Sequence, residues 1–540
     1  MKTLIRAAAL ILSAIMILSF ISCEKPSSEK TNEYVFDDKA QFKAGRDPGH
    51  NRVFYEIFVS SFSDSNGDGI GDLRGIINRL DYLNDGNPDS GKSLGIGGIW
   101  LTPIFKSSSY HKYNVNDFYQ VDPDFGTKED LKELIAGCHE RGILLILDMP
   151  INHTGTMNPW YNEFVIAQRK QDTSSEYYDF YTWHDDSEGP APAGRTFQPI
   201  AGTTHSYECN FSGDMPELNY DNEAVFRAVV DVAKHYLELG IDGFRFDAAK
   251  YIYFGNNQKS TEFWVRYMEE LRSMKPDVYA VGEVWDGDGI TDIYMQAMNC
   301  FDFAISETSG LIAETAKKGN ANIYTAYIES YLDRIHGIRE GSTITPFITN
   351  HDMDRAAGFL TVASGYMKMA ANLYILGPGT PFIYYGEEIG VRGSRGAAMT
   401  DANRRLKMPW GDGDTVKDPT GASYPAENRT ETDVIAQLAD PNSLYSYYKR
   451  LIMIRNAFPE IAMGDFKALR LNDTKVGGFT ASLEGSTVIV LHNPSGSSQT
   501  IDLKSLGLEP EKLCAVIGIE DAVLDGTVLT IGGQTSVVLK

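Results

Sequence analysis

Short apolar segments alternate with amphipathic segments along most of the chain. Several of the short segments are apolar almost throughout, as in the run ILLIL at residues 143–147. Strands of a parallel sheet need this pattern when both faces of the sheet are covered, because neither side of such a strand meets water. Eight segments fit this description, at residues 53–62, 96–105, 143–151, 241–248, 278–285, 301–306, 344–352 and 381–389.

Amphipathic patterns with a helical repeat lie between these strands, for example at residues 128–141, 223–239 and 261–273. Eight strand–helix units in succession predict a (β/α)8 TIM barrel of the α/β class. We assign residues 46–152 and 220–460 to this barrel.

Two stretches depart from the barrel pattern. About seventy residues separate the third strand from the helix near residue 222, whereas connections from strand to helix usually have about 2–6 residues. Residues 153–219 are therefore predicted to form a subdomain inserted after strand three. Residues 461–540 are rich in Val, Thr, Ile and Gly, with short alternating stretches at 486–491 and 527–531, and predict a C-terminal antiparallel β-sandwich.

The N-terminal residues predict export. Lys2 and Arg6 precede an apolar run that is shorter than the ~20 residues needed to span a bilayer, which is typical of a signal peptide over residues 1–22. Cys23 follows Phe-Ile-Ser, which resembles a bacterial lipobox, and a polar tether continues over residues 23–45. We expect a lipid on Cys23 that anchors the protein to a bacterial membrane, at the cell surface or on the periplasmic face. A plain signal peptide that is cleaved nearby is the alternative.

The composition excludes several classes of protein. Among 540 residues, 73 are acidic and 49 basic, which gives a formal charge of −24 and argues against a nucleic-acid partner, because two polyanions repel each other. Charged residues at 23% and hydrophobic residues at 42% are ordinary for a globular protein, and we expect a monomer with a neutral or cationic ligand. Apart from Cys23, the chain has four cysteines, which are far apart and show no C-x-x-C spacing, so buried free thiols are expected for them rather than a zinc site or disulfides.

Polar residues concentrate where four of the predicted strands end. They lie in the segments DMPINH at 148–153, GFRFD at 243–247, GEVW at 282–285 and NHD at 350–352. A single Asp in such a place is commonly a helix cap, and a single His is commonly structural. Because barrel active sites lie at the carboxyl ends of the strands, the four segments together predict a catalytic site on one rim.

These residue types suit the cleavage of a glycosidic bond. That reaction needs one ionised carboxylate to attack the anomeric carbon and one protonated carboxyl group to release the leaving oxygen. Arg245 and Asp247 lie two residues apart on a strand and share a face, so the cation is expected to keep Asp247 ionised as the nucleophile. Glu283 lies beside an apolar Val and Trp, where burial would raise its pKa toward an acid/base role.

The four segments, in this order, resemble those of the α-amylase superfamily, glycoside hydrolase family thirteen. The resemblance extends from about residue 53 to the C-terminus. It implies a retaining glycosidase in which Asp247 is the nucleophile, Glu283 is the general acid/base and Asp352 stabilises the transition state.

The same resemblance implies a set of substrate contacts. His153, Arg245 and His351 would hydrogen-bond the sugar at the cleavage subsite. In the segment YHKYNV at 110–115, Tyr113 matches the tyrosine that stacks beneath this sugar, although Lys and Asn flank it where Gly and Asp are more usual.

Two signals within the family favour an endo-acting α-amylase on starch-like glucans and maltooligosaccharides. Lys250 resembles the lysine that contacts the sugar on the reducing-end side, and the segment MPELN at 215–219 is closer to amylases and neopullulanases than to oligo-1,6-glucosidases. Arg355, a further candidate for substrate binding, and the loop DSNGDGIGD at 64–72 also occur in oligo-1,6-glucosidase-like enzymes. Neopullulanase, cyclomaltodextrinase, oligo-1,6-glucosidase and α-glucosidase are therefore alternatives. An inactive carbohydrate-binding lipoprotein is disfavoured, because all three carboxylates are present.

The loop at residues 64–72 also resembles an EF-hand loop and predicts a Ca²⁺ site. Hard oxygen donors that calcium prefers come from the side chains of Asp64, Asn66, Asp68 and Asp72 and from the carbonyl of Ile70. The twelfth position is Gly rather than Glu, so no EF-hand sensor is implied. An acidic surface turn is the alternative. A second calcium between barrel and insert, as the resemblance suggests, would use Asn152 and Glu217 and stays open.

Overall fold

The computed structural model describes residues 52–363, 365–471 and 475–540. The export signal, the lipid on Cys23 and the tether fall outside these ranges and stay predictions. In the described part, no helix combines the length and the apolar character that crossing a bilayer requires. Cys138, Cys209, Cys300 and Cys514 are buried free thiols, as expected.

Parallel strands form a closed barrel. Seven strands form one sheet, and the first six lie side by side in chain order: Phe54–Ile57, Gly98–Leu101, Leu144–Met149, Gly243–Phe246, Tyr279–Gly282 and Asn299–Cys300. The last barrel strand, Phe382–Tyr384, pairs with the first. The remaining gap is closed by parallel bridges from Thr345 to Phe301 and from Phe347 to Phe382. The predicted TIM barrel is confirmed.

Two barrel strands differ from the prediction in extent. The sixth is Asn299–Cys300, and the chain then turns into a 3-10 helix at Phe303–Ile305, where a continuous strand was expected. The seventh is reduced to two bridges around Pro346. Proline has no N–H to donate to a ladder, which explains the interruption, although its carbonyl still accepts from Phe382 N at 2.9 Å.

Helices surround the sheet, and their ends follow local sequence signals. Lys128–Glu140 begins with a capping box in which Thr127 and Asp130 exchange side-chain to backbone hydrogen bonds. Glu223–Leu239 ends at Gly240, whose φ of 107° suits glycine. The other helices outside the insert are Leu73–Asn78, Leu80–Leu83, Asn257–Met274, Asp288–Tyr294, Leu311–Lys318, Ala321–Ile338, Ala356–Phe359, Tyr366–Ile375, Val434–Ala439, Leu444–Ala457 and Pro459–Met463.

The insert and the C-terminal region each contain antiparallel sheet. The insert has the helix Pro159–Lys170 and a three-stranded sheet of Trp183–Asp185, Phe197–Pro199 and His205–Glu208. After the barrel, a five-stranded sheet consists of Asp465–Ala468, Gly477–Leu483, Ser486–Asn493, Leu513–Gly518 and Thr535–Leu539. A three-stranded sheet consists of Gln499–Asp502, Ala522–Asp525 and Val528–Ile531. These are the insert and the C-terminal β domain of the predicted fold.

A hairpin that the sequence pattern did not predict follows the second barrel strand. Its strands, Phe105–Ser107 and Val115–Val121, pair antiparallel with two irregularities in register. The segment between them carries Tyr113, so the hairpin brings this tyrosine to the rim of the barrel.

The inside of the barrel changes from apolar to polar along the strands. Alternate residues of a strand share a face, and the lower inward positions belong to an apolar cluster that includes Phe54, Ile146 and Val281. Two residues further along the same strands, the inward residues are Glu56, Asp148 and Glu283. The register of the barrel therefore collects charged side chains at its carboxyl end.

Phe54 is central to the apolar layer. Its ring stacks on Tyr279 at 4.7 Å and on Phe382 at 4.8 Å between centroids. Gly98 on the neighbouring strand leaves room for it, since a Cβ there would lie 2.5 Å from the Phe54 ring.

Phe54→Ala is expected to lower the free energy of unfolding by about 3–5 kcal/mol, because it leaves a cavity inside the closed barrel. Urea unfolding followed by tryptophan fluorescence measures this loss. The control is Ile166→Ala on the insert helix, where the side chain is 41% exposed and the change should stay within about 0.5 kcal/mol. A loss from Phe54→Ala as small as that of the control would contradict the packing described.

Candidate active site

A buried arginine lies at the centre of the polar layer. Arg245 Nη1 donates hydrogen bonds to both carboxylate oxygens of Asp148, at 2.8 and 2.9 Å, and to Asp247 Oδ1 at 2.7 Å. Its Nη2 lies 3.0 Å from Glu283 Oε2. The guanidinium carbon lies 5.0 Å from the centre of the Trp100 ring. A single guanidinium group thus contacts three carboxyl groups, which lie on three adjacent strands.

Burial dominates the protonation of these carboxyl groups. It raises the pKa of Asp247 and of Glu283 above their ordinary values, although Arg245 opposes both shifts. It likewise raises the pKa of Asp148 to about 7. The expectation that Arg245 holds Asp247 ionised is therefore met only in part: the hydrogen bond is present, but it does not outweigh burial.

Asp352 has the opposite balance. Its Oδ1 accepts from Arg405 Nη2 at 2.6 Å, and its Oδ2 lies 3.1 Å from His351 Nε2. Burial would raise its pKa, but His351 and Arg405 hold it well below the ordinary range. Arg405 also donates to the His351 carbonyl and to the Tyr110 hydroxyl, at 3.1 and 2.9 Å. This arginine was missed by the sequence analysis because it lies in an irregular loop after strand eight.

An open cavity of about 600 Å³ lies over this layer. Arg245 and His351 lie beneath its surface and are fully buried. Six of the predicted site residues line the cavity, namely Tyr113, His153, Asp247, Lys250, Glu283 and Asp352.

The wall next to the insert is aromatic. The Tyr113 ring stacks on His351 at 5.6 Å with an angle of 10° between the planes. Phe211 is 43% exposed and lies between His153 and Tyr251, at 5.1 and 4.9 Å between ring centres. Burial lowers the pKa of His153 to about 4, so this histidine is neutral near pH 7. Phe211 was not singled out from the sequence.

A cation and an indole ring also line the cavity. Lys250 Nζ donates to the Trp285 carbonyl at 2.8 Å and to Asp286 Oδ2 at 3.1 Å. The Trp285 ring is 41% exposed and stacks on Phe303 at 4.9 Å. An exposed apolar ring therefore lines the same cavity as Glu283.

Arg355 does not reach the cavity. It is 2% exposed and donates to the carbonyls of Arg404 and Tyr385, at 2.8 and 2.6 Å. Its guanidinium also lies over the rings of Tyr384 and Tyr385. These partners hold the side chain under the loop after strand eight, so the structure does not support the predicted direct contact with a sugar.

The acidic loop is held by hydrogen bonds of its own. Asp64 accepts from three backbone N–H groups of the loop at 2.7–3.0 Å, and Asn66 and Asp68 each accept from the N–H two residues on. Asp72 caps the following helix. Within the described ranges, no three acidic, histidine or cysteine side chains converge as a preformed metal site. By donor type the loop fits Ca²⁺, since side-chain oxygens and the Ile70 carbonyl are hard ligands.

At the interface between insert and barrel, where the second calcium was predicted, the Arg195 side chain lines a cavity. Asn152 donates through Nδ2 to the Asp247 carbonyl at 2.8 Å, and its buried Oδ1 has no hydrogen-bond partner among the described residues. Glu217 lines a cavity of about 240 Å³ that Arg195 and Glu208 also line. Arg195 pairs with Glu208 at 3.0 Å. The second calcium stays a prediction.

The alpha-amylase catalytic-domain model matches residues 56–464 of the chain. "Alpha-amylase 3" of Dictyoglomus thermophilum is 33% identical over 493 residues, which are 91% of this chain and 93% of that protein. A "4-alpha-glucanotransferase" of Thermotoga maritima is 30% identical and covers 73% of this chain and 85% of its own length. An "Oligo-1,6-glucosidase" of Parageobacillus thermoglucosidasius is also 30% identical, with 82% and 89% covered.

Solved structures agree with these relatives over nearly the whole chain. "Eubacterium rectale Amy13B" superposes with a TM-score of 0.82 at 31% identity, covering 94% of this chain and 97% of that one. The alpha-amylase from H. orenii superposes with a TM-score of 0.78 at 35% identity, covering 91% and 99%. The chain therefore belongs to the alpha-amylase family, glycoside hydrolase family thirteen, and is an enzyme of the glycosidase type.

Proposed function

We propose that the protein hydrolyses α-1,4-glucosidic bonds within starch-like glucans and maltooligosaccharides and retains the anomeric configuration. The observation that carries this proposal is the sharing of Arg245 between Asp247 and Glu283, at 2.7 and 3.0 Å, on the floor of an open cavity. Two carboxyl groups held close together by one cation suit the double displacement of a retaining glycosidase.

The contacts of the two carboxyl groups support different roles for them. Asp247 accepts a charge-assisted hydrogen bond from Arg245, which favours its ionised form and the role of nucleophile. Glu283 accepts a hydrogen bond from the neutral N–H of Ala248, at 2.9 Å, and has Arg245 at ion-pair distance. It is therefore the more readily protonated of the two, which suits the general acid.

The reaction follows from this assignment. Asp247 attacks the anomeric carbon while Glu283 gives its proton to the departing oxygen, which leaves a glycosyl ester on Asp247. Glu283, now ionised, takes a proton from water, and that water displaces Asp247 with a second inversion. Asp352 stays ionised throughout and stabilises the positive charge that develops on the sugar ring.

Two further residues that line the cavity support cleavage at bonds within the glucan chain. Lys250 and Trp285 line the same cavity as Glu283, and the sugar on the reducing-end side of the bond would lie against them. The exposed Trp285 ring offers the apolar face that a pyranose ring stacks on. The 33% identical relative named an alpha-amylase, which matches this chain almost from end to end, adds support.

A second candidate is a transferase or an α-1,6-specific hydrolase. The relatives named 4-alpha-glucanotransferase and oligo-1,6-glucosidase, each 30% identical, favour it. The Trp285 ring could hold an acceptor sugar in place of water, and this contact favours transfer in particular.

The product profile separates these candidates. We expect amylose to give a range of maltooligosaccharides from the first turnovers, pullulan and isomaltose to react much more slowly, and the first product seen by ¹H NMR to be the α-anomer. Exclusive release of glucose from isomaltose or panose would replace the amylase assignment with the α-1,6 alternative. An initial β-anomer would contradict retention altogether.

Asp247→Asn is expected to lower kcat on maltooligosaccharides by about 10³-fold or more, because it removes the attacking oxygen. The matched control is Asp401→Asn, which makes the same substitution on the same cavity wall in a carboxylate that pairs with Arg404 at 3.0 Å. We expect the control to keep kcat within about tenfold. Equal losses in both variants would contradict the assignment of Asp247.

We also propose that the loop at residues 64–72 binds Ca²⁺. The side chains of Asp64, Asn66, Asp68 and Asp72 and the carbonyl of Ile70 would hold the ion, which would offset the negative charge of the loop. Asp64 lies close to the barrel and accepts from Thr415 Oγ1 at 2.6 Å, so the ion would tie this loop to the segment after strand eight.

Calcium is expected to raise the Tm of the EDTA-treated protein by ~2 °C or more, since a ligand that binds only the folded state stabilises it. Asp68→Asn should abolish this rise and the binding heat seen by calorimetry. Asp89→Asn, in a different exposed loop, should leave both intact. No binding heat and no shift in Tm for the parent protein would remove the metal from the proposal.

A further inference from the structure

A buried glutamate lies beneath the catalytic layer and takes no part in the reaction described so far. Glu56 is the one charged residue of the first barrel strand, Phe54–Ile57, and is 1% exposed. A carboxylate buried to this degree requires a partner that compensates its charge or its hydrogen bonds. Its Oε1 lies 2.6 Å from Nδ1 of His351.

The hydrogen bonds around His351 determine which of its nitrogens carry protons. The Tyr113 hydroxyl donates to Asp148 Oδ2 at 2.8 Å, and Asp148 also accepts from Arg245 with both oxygens. A phenol has a single proton to give. The contact of 2.7 Å between Tyr113 Oη and His351 Nε2 therefore needs the histidine as donor. On the other side of the ring, Nδ1–H donates to Glu56.

The surrounding charges favour a protonated ring. The carboxyl groups around it are those of Glu56 on strand one, Asp148 on strand three, Asp247 on strand four, Glu283 on strand five and Asp352 beside it. The cations of this layer are Arg245 and Arg405. Burial raises the pKa of Glu56 and His351 opposes that shift, so the ionised carboxylate and the imidazolium in contact with it stabilise each other. Burial alone would lower the pKa of His351, but Asp352 and Glu56 raise it to about 10.

We propose that Glu56 is a positioning residue that keeps His351 as a fixed imidazolium, with one N–H bound to Glu56 and the other directed at Tyr113 and Asp352. The effect on catalysis rests on the proposed function, whereas the protonation of His351 does not. Glu56 lies on strand one, Tyr113 lies on the hairpin and His351 lies at the end of strand seven. The His351 ring therefore connects these three parts of the rim.

Two consequences follow for the reaction. The Nε2–H lies 3.1 Å from Asp352 Oδ2, while Arg405 holds Oδ1, so Asp352 has a cation on each oxygen and a fixed orientation. The stacked Tyr113 ring is held in place by its contacts to His351 and Asp148. The position of the surface beneath the sugar therefore depends on Glu56 through His351.

A competing arrangement of the same protons makes a different prediction. If Glu56 were protonated and donated to a neutral Nδ1, the total charge would be the same, but His351 would be an ordinary imidazole. A glutamine at position 56 would then replace the donor without consequence. The location of the proton is thus the quantity to be measured.

The test uses ¹⁵N-histidine-labelled protein, with the His351 signals assigned by their loss in His351→Gln. In the parent protein without substrate we expect both ring nitrogens of His351 to remain protonated from pH 6 to about pH 9. A neutral ring at pH 8 would overturn the proposal, even if the enzyme were fully active. Because this measurement needs neither a variant at position 56 nor an activity, it does not depend on the proposed function.

Glu56→Gln tests the role of the carboxylate. We expect the pKa of His351 to fall by about 1–3 units, since an opposite charge in direct contact has been removed. The Glu56 carboxylate helps to raise the pKa of His351. Without this anion the ring loses its proton at a lower pH than in the parent protein. The alkaline limb of kcat/KM should then include a second deprotonation and become steeper, with little change at pH 6.

The matched control is Glu388→Gln. Glu388 is also fully buried, but it accepts hydrogen bonds from the hydroxyls of Tyr55 and Tyr82, and no histidine of the described ranges bonds to it. It should leave the titration of His351 and the shape of the pH profile unchanged. If Glu56→Gln folds and leaves the His351 signals as they are in the parent, Glu56 does not fix the ring.

Discussion

The site depends on one buried guanidinium group. Arg245 is fully buried and hydrogen-bonds Asp148 and Asp247 while lying at ion-pair distance from Glu283. Burial disfavours the charged form of these three carboxyl groups. The central cation opposes this effect at Asp247 and at Glu283. Removing one member of such a buried network leaves the charges of the others uncompensated, so the loss of one side chain is expected to destabilise the whole layer.

This arrangement results from the alternation of inward and outward side chains along each barrel strand. Phe54, Ile146 and Val281 fill the lower interior, and the next inward residues on the same strands are Glu56, Asp148 and Glu283. The lower layer is apolar core, and the layer above it contains the buried charged side chains of the site. Residues outside the strands then complete the site: Tyr113 from the hairpin and Arg405 from the loop after strand eight.

Much of this architecture could be predicted from the sequence, because the apolar strand runs and the four polar segments at their ends are local signals. Arg405 and Phe211 could not be predicted, since they lie in irregular segments whose path is set by tertiary contacts. Arg355 was named on the family resemblance alone, which does not give the direction of a side chain; its guanidinium packs on Tyr384 and Tyr385 instead of lining the cavity. Glu56 did give a signal, a charge in an apolar strand, whose meaning depends on the approach of His351 from strand seven.

The central claim is that Asp247 forms the bond to the sugar while Glu283 handles the proton. The most direct measurement is mass spectrometry of the protein after inactivation with a 5-fluoro-α-glucosyl fluoride, which forms a glycosyl ester that hydrolyses slowly. After digestion, we expect a single labelled peptide that carries the sugar on Asp247. A label on Glu283 or Asp352, or inactivation without a covalent label, would contradict it.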